Sequence, residues 1–130
     1  IIARNESLRG VGGGVFSGRN TIVKLSTISY NKSHKHGGAI FSTKAALIKD
    51  STFSFNSSSY GGAFYGESKL RTTNTIFSNN NADYNGGAIK ATSVKLFDVN
   101  ISKNEAKNYG GAIISENIKI YNSTFIDNNA

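Results

Sequence analysis

The sequence predicts an all-β protein, a right-handed parallel β-helix of about five 24-residue coils with three short strands per coil. Two motifs repeat in the same phase along the 130 residues, and no stretch shows a sustained apolar stripe at helical spacing. One motif is Gly-Gly followed by a small and then a large apolar residue. The other is Phe or Ile followed three residues later by Asn. A coil of this length cannot bury its apolar face alone, so we expect each coil to stack on the next, about 4.8 Å away.

The Gly-Gly motif opens the first strand of each coil and occurs at spacings of 24, 24, 25 and 24 residues. The copies are Gly13-Gly14-Val15-Phe16, Gly37-Gly38-Ala39-Ile40, Gly61-Gly62-Ala63-Phe64, Gly86-Gly87-Ala88-Ile89 and Gly110-Gly111-Ala112-Ile113. We expect the last residue of each copy to point inward, so that Phe16, Ile40, Phe64, Ile89 and Ile113 form one stack. The glycine pairs are expected where the chain turns into a strand and needs a positive φ or a close approach between coils.

The second strand of each coil is predicted from an apolar-x-apolar-x-Asx pattern. Its copies are Ala46/Ile48/Asp50, Leu70/Thr72/Asn74, Val94/Leu96/Asp98 and Ile118/Ile120/Asn122, and the first copy departs from the pattern at Leu25. The Asx residues are expected to form a solvated ladder at a turn.

The third strand carries the Phe/Ile-x-x-Asn motif. We expect Ile28, Phe53, Phe77, Ile101 and Phe125 to form a second inward stack. The asparagines that follow, Asn31, Asn56, Asn80, Asn104 and Asn128, are predicted to form an internal ladder, amide to amide, because buried turn groups require hydrogen-bond partners.

The composition limits the function classes. The net charge is +7 and there is no cysteine, which excludes disulfides, zinc–thiolate sites and cysteine nucleophiles. No apolar run is long enough to span a membrane. We expect one repeat domain over residues 1–130, an excerpt or protomer of a longer rod, because the chain starts and stops within a coil. End-to-end self-association is the corresponding expectation about partners.

The two motifs together resemble the chlamydial polymorphic outer membrane protein repeats, whose signature is GGAI with FxxN. The resemblance covers essentially the whole chain, although Ile replaces Phe in three of the six FxxN copies. It implies a surface-exposed, non-catalytic β-helical stalk, extracellular or at the cell surface, that often acts as an adhesin. A receptor on a host surface would then be the partner.

Catalysis and metal binding are weighed as alternatives because parallel β-helices also include polysaccharide lyases. Such enzymes need clustered carboxylates, whereas the sequence places only Asp50 and Asp98 in one column, two coils apart. His34 and His36 could supply two metal ligands, but no third ligand is fixed nearby. We therefore predict no catalytic residue, no metal site and no cofactor.

A basic column offers a different function. Arg71, Lys95 and Lys119 occupy one repeat position on successive coils and should point outward. Such a column would attract an anionic polymer, so binding of an acidic glycan is the second hypothesis, against the plainer interpretation of a solvated face that resists aggregation. Nucleic acid is not expected, because exposed aromatic residues suited to base stacking are not interleaved with the charges.

Five Asn-x-Ser/Thr sequons are present. Three of them, at Asn5, Asn31 and Asn56, occupy the internal ladder position and could not hold a glycan there. Asn100 precedes an inward isoleucine and should point outward, and Asn122 lies in the solvated ladder. These two are the predicted acceptors if the chain enters a glycosylating compartment.

Overall fold

The computed structural model describes all 130 residues and contains no helix. The strands are β1 Ile2–Ala3, β2 Glu6–Ser7, β3 Val15–Ser17, β4 Thr21–Lys24, β5 Thr27–Ser29, β6 Lys32–Ser33, β7 Ile40–Ser42, β8 Ala46–Lys49, β9 Thr52–Ser54, β10 Ser57–Tyr60, β11 Phe64–Ser78, β12 Asn81–Asn85, β13 Ile89–Ser102, β14 Glu105–Ala106, β15 Ile113–Ile114, β16 Asn117–Tyr121 and β17 Thr124–Ile126. Every pairing is parallel and joins equivalent segments of neighbouring coils, most often 24 or 25 residues apart. The predicted fold class, a parallel β-solenoid of about five turns, is confirmed.

Most coils have a strand after the ladder asparagine that the sequence does not predict, and in two coils the three predicted short strands are wrong because they run together as the continuous strands β11 and β13. In the second complete coil, β7, β8 and β9 follow one another as expected, and β10 comes after the ladder asparagine. This fourth strand belongs to a separate five-stranded sheet in the order β14-β12-β10-β6-β2. Its segment reads Ser57-Ser58-Ser59 and shows no apolar alternation, so hydrophobic periodicity could not reveal it.

The core consists of columns of side chains that run along the axis. The second predicted stack is confirmed, since Ile28 pairs with Phe53, Phe53 with Phe77, Phe77 with Ile101, and Ile101 with Phe125. The rings of Phe53 and Phe77 stack with their centroids 4.9 Å apart. Seventeen buried residues make one continuous hydrophobic cluster. An apolar side chain in such a column is buried only when a neighbouring coil stacks on its own coil. This explains why the repeat extends over the whole chain.

The first Gly-Gly copy is displaced by one residue from the predicted alignment. Gly12, not Gly13, has the positive φ of 65° that matches the 62° of Gly37. Val15 pairs with Ile40 and lies at the inward position, whereas Phe16 pairs with Phe41, points outward and is 60% exposed. The prediction of an inward Phe16 is therefore wrong. Three consecutive glycines allow two alignments, and the structure adopts the one that stacks the two phenylalanine rings.

Corners in the left-handed region close each coil. In the second complete coil they fall at Gly37, Asp50 and Phe55, with φ values of 62°, 50° and 55°. Asn and Asp tolerate this region better than other side chains, which accounts for the Asx residues after the second strand. Leu25 occupies the same corner in the first coil, with φ of 48°.

The second glycine of each pair is required for a different reason, the close approach of backbones. A Cβ atom on Gly62 would lie 2.1 Å from the carbonyl oxygen of Gly87 and 2.6 Å from that of Asn81. Contacts this short oblige the coils to separate.

We expect Gly62→Ala to lower the free energy of unfolding by about 2–3 kcal/mol, because overpacking against backbone cannot be relieved by a rotamer change. Urea unfolding of the full chain provides the measurement. Gly18→Ala is the matched control, since its Cβ would meet nothing closer than a Phe16 ring carbon at 3.9 Å, and it should change stability by under about 0.5 kcal/mol. Equal effects of the two substitutions would contradict the argument.

Candidate functional site

The internal asparagines lie directly over one another. The Oδ1 atom of Asn56 accepts hydrogen bonds from the backbone N–H of Asn31 at 3.0 Å and from its Nδ2 at 3.1 Å. The Nδ2 of Asn56 donates to the carbonyl of Ile28 in the preceding coil and to Oδ1 of Asn80 in the following coil, both at 3.0 Å. One amide thus connects three coils.

The same pattern continues along the rod. Asn80 donates to the Phe53 carbonyl and to Asn104, and Asn104 donates to the Phe77 carbonyl and to Asn128. The ladder asparagines Asn31, Asn56, Asn80 and Asn104 are at most 1% exposed. Both donors and both acceptor positions of each amide are used, so this buried polar column carries little desolvation cost. Its function is structural.

The exposed Asx residues that follow the second strand also contact one another between successive coils. The Nδ2 of Asn74 donates to Oδ1 of Asp50 at 2.8 Å, and Asn122 donates in the same way to Asp98. Asn122 is therefore engaged, whereas the exposed side chain of Asn100 makes no hydrogen bond. Glycosylation at either residue stays a prediction, as does end-to-end self-association.

The three cations of the basic column lie side by side. Arg71 pairs in register with Lys95, and Lys95 with Lys119. All three are exposed, and none is among the side chains that form ion pairs. The column continues on earlier coils as Leu47 and Ile22, so its charge is confined to three successive coils.

Aromatic residues do lie beside this column, contrary to the sequence-based expectation. Phe97 and Tyr121 occupy the neighbouring outward column and stack with ring centroids 4.8 Å apart. The guanidinium of Arg71 lies over the other face of Phe97, 4.7 Å from its centroid. Phe97 is half-buried between these two contacts, whereas Tyr121 is 49% exposed, and the absence of nucleic-acid binding stays a prediction.

The two histidines weighed as metal ligands have different neighbours. His34 contacts Glu6, with 3.2 Å between Nε2 and Oε1, and His36 lies apart from it in an aromatic cluster. No three His, Asp or Glu side chains converge on a common point. The carboxylates are less scattered than the sequence suggests, since Glu67 and Glu116 line the same surface groove.

A cluster of aromatic side chains, here called the aromatic corner, flanks the Gly-Gly turn. It comprises Phe16, Phe41 and Tyr65 on one side of the turn and His36, Tyr60 and Tyr84 on the other. Phe16, Phe41 and Tyr65 stack on successive coils at 5.6 and 5.4 Å. His36 joins the two sides, with its ring centroid 4.4 Å from that of Tyr65.

The electrostatics of the aromatic corner favour neutral rings. Burial, together with the charges of Lys90 and Lys35, holds the pKa of His36 below its usual value. Burial, together with the Glu67 carboxylate, raises the pKa of the Tyr65 phenol. The ammonium of Lys90 lies over the Tyr60 ring, 4.4 Å from the centroid, as a cation–π contact.

The sequence contained part of the signal for this corner. Phe41 and Tyr65 each follow the inward residue of a Gly-Gly copy, and Phe16 joins them once Val15 is taken as the inward residue. Because the sequence-based alignment of the first Gly-Gly copy was one residue out, it placed Phe16 in the inward stack and missed its place in this outward column. The contact between His36 and Tyr65 crosses a turn and follows no repeat spacing, so periodicity could not predict it.

Two segments of the chain match a known repeat family. Residues 26–43 and 74–92 match the family model of the Chlamydia polymorphic membrane protein (Chlamydia_PMP) repeat. These two segments are similar to that repeat. Each matched segment of these repeats runs from the third strand through a ladder asparagine to the strand after the Gly-Gly turn. No curated protein and no solved structure matches the chain.

The repeat family and the β-solenoid together fit a structural role in a surface protein and suggest a non-enzymatic one. None of the elements is a long apolar helix of the kind that crosses a bilayer.

The ladder makes a sharp prediction about hydrogen bonding. Asn80→Asp keeps the size of the side chain but removes both Nδ2 donations, to the carbonyl of Phe53 and to Asn104. It should lower the free energy of unfolding by at least about 3 kcal/mol, because buried acceptors then face a carboxylate. Urea unfolding at pH 7 measures the loss.

Asn108→Asp is the control for that measurement. Asn108 is exposed and its side chain makes no hydrogen bond, so the substitution should change stability by under about 0.5 kcal/mol. A loss below about 1 kcal/mol for Asn80→Asp would contradict the role assigned to the ladder.

Proposed function

We propose that the chain is a segment of an extracellular, non-catalytic β-helical stalk that presents its outer faces for adhesion. The observation that carries this proposal is the unbroken asparagine ladder, which connects each coil to its neighbours without using an outward side chain. Stability is therefore built inside the coil. The outer faces remain free to carry contacts with other molecules.

Two adjacent columns of the second strand show this difference between the interior and the outer face. The inward column Thr21, Ala46, Leu70, Val94 and Ile118 contains small or apolar residues on every coil. The adjacent outward column Ile22, Leu47, Arg71, Lys95 and Lys119 changes from apolar to cationic along the rod. Variation outside a constant interior is expected of a scaffold that displays surface chemistry.

Surface display can be tested with single cysteines, because the chain contains none. On intact cells that produce the parent protein, a membrane-impermeant maleimide should label Lys44→Cys and Asn108→Cys, because both positions are exposed. It should not label Ala82→Cys before denaturation, because Ala82 is fully buried. Failure of the first two variants to react until the cells are lysed would overturn the proposed location.

A second candidate function is binding of an acidic glycan along Arg71, Lys95 and Lys119. The specific observation in its favour is that these three exposed cations lie in register and none forms an ion pair. Like charges about 4.8 Å apart repel one another, and a polyanion relieves that repulsion.

Retention on a heparin column provides the test of this second candidate. The wild-type chain should elute only at raised salt, and reversal of all three charges to Glu should abolish retention, because the site becomes acidic. Reversal of Arg9, Lys35 and Lys103, which are exposed elsewhere, changes the net charge equally and should leave most of the retention. Equal loss in both triple variants would indicate non-specific charge attraction only.

A further inference from the structure

The second strand of each coil, which is part of β11 or β13 in two coils, presents two outward columns, here together called the second-strand face. One column is Ile22, Leu47, Arg71, Lys95 and Lys119, and the other is Lys24, Lys49, Thr73, Phe97 and Tyr121. Five of these ten residues are cationic, four are apolar or aromatic, and none is acidic. With coils about 4.8 Å apart, the face extends for about 19 Å along the axis.

The cations of the second-strand face have no acidic partner. None of them is among the side chains that form ion pairs. The carboxylates of Asp50 and Asp98 lie at the corner that follows the second column, and each accepts a hydrogen bond from the asparagine of the next coil. The face therefore keeps a positive potential, which attracts an anionic surface and weakens as salt is added.

Apolar side chains are exposed on the same face. Ile22 is 67% exposed, and Leu47 and Phe97 are half-buried. An acidic glycan would pair with the cations but offers little to these apolar groups. A lipid bilayer offers anionic headgroups to the cations and acyl chains to the apolar residues, and the long stems of lysine and arginine can cross that boundary. Tyr121 also suits this boundary, because tyrosine is enriched where membranes meet water.

Leu25 supports the same partner. It occupies the corner after the second strand, three residues beyond Ile22, with φ of 48°. The equivalent residues of the other coils are Asp50, Asn74, Asp98 and Asn122. Leucine is disfavoured in the left-handed region, and this one is 85% exposed, so neither backbone conformation nor burial in the core accounts for it. Contact with an apolar phase outside the protein does.

We propose that the second-strand face binds the surface of an anionic lipid bilayer, with its cations at the lipid phosphates and with Ile22, Leu25 and Leu47 among the upper acyl chains. The rod then lies with its axis parallel to the membrane, because both columns run along the axis. The inference rests on the proposed adhesive role and names a partner for one outer face. The acidic-glycan candidate uses three of the same cations but none of the apolar residues, and the experiment exploits this difference.

Flotation of the full chain with lipid vesicles provides the test. We expect binding to an equal mixture of phosphatidylcholine and phosphatidylglycerol and none to phosphatidylcholine alone, because each cation at an anionic membrane surface strengthens binding about fivefold. Ile22→Thr combined with Leu47→Thr introduces side chains that suit a strand and should weaken binding to the mixed vesicles at least about tenfold. Its retention on heparin should not change, because all the cations remain.

Leu8→Thr combined with Ile76→Thr is the matched control. These residues are 68% and 44% exposed, and they follow β2 and lie on the third strand, outside the second-strand face. The control removes two exposed apolar side chains and should leave vesicle binding within about twofold.

A polarity-sensitive fluorophore locates the residues that enter the bilayer, because the chain has no cysteine of its own to compete for the label. On Ile22→Cys its emission should shift to shorter wavelength when the mixed vesicles are added. On Leu8→Cys it should not shift.

The proposal is overturned if the wild-type chain does not bind the mixed vesicles, if it binds phosphatidylcholine equally well, or if the label on Ile22→Cys shows no shift. It is also overturned if the Ile22/Leu47 variant binds as well as wild type or if the control variant loses as much. Retention on heparin without vesicle binding makes the acidic glycan the occupant of this face and rejects the bilayer. Maleimide labelling on cells reports the location of the protein without vesicles, so failure of the proposed function and failure of this inference appear in different experiments.

Discussion

The side-chain amide of the ladder asparagine satisfies a requirement that no other side chain of its length meets. Each coil turns there and buries a backbone N–H and a carbonyl that lack partners within the coil. The amide supplies two donors and two acceptor positions at fixed distance, and all four are used between coils. Aspartate has the same reach but no donor, which explains why Asp appears at the solvated corner and not in this column. Together with the parallel backbone hydrogen bonds, this polar column holds the inward apolar columns in register.

This arrangement separates the residues that stabilise the rod from those that face other molecules. The interior depends on apolar columns, glycine contacts and the ladder, all of which repeat along the chain. The exterior follows no such rule, so the basic column and the aromatic corner occupy different faces and only part of the length. A substitution on one face should therefore act independently of the other, since the two share no side-chain contact.

The sequence alone was sufficient to predict which strands pair and which residues stack, where these features follow the repeat spacing. The register of Ile28 with Phe53 and Phe77 follows from the motif spacing, because each strand can pair only with the equivalent strand of a neighbouring coil. The predictions failed where the pattern was degenerate, as at Gly12–Gly14, or where a strand lacked apolar alternation, as in β10. The contact of His36 with Tyr65 was missed for a third reason: it joins two sheets across a turn and depends on side-chain directions that spacing does not encode.

The hydrogen bonds of the ladder all run the same way, since each asparagine donates to the one in the following coil. The amide dipoles therefore add along the axis and do not cancel, which makes the column a directional, mutually polarised chain. A coil inserted in the reverse sense would place carbonyl against carbonyl on one side and N–H against N–H on the other. Duplication of the repeat extends such a column without this conflict, whereas inversion does not, so the ladder restricts the ways in which a rod of this kind can lengthen during evolution.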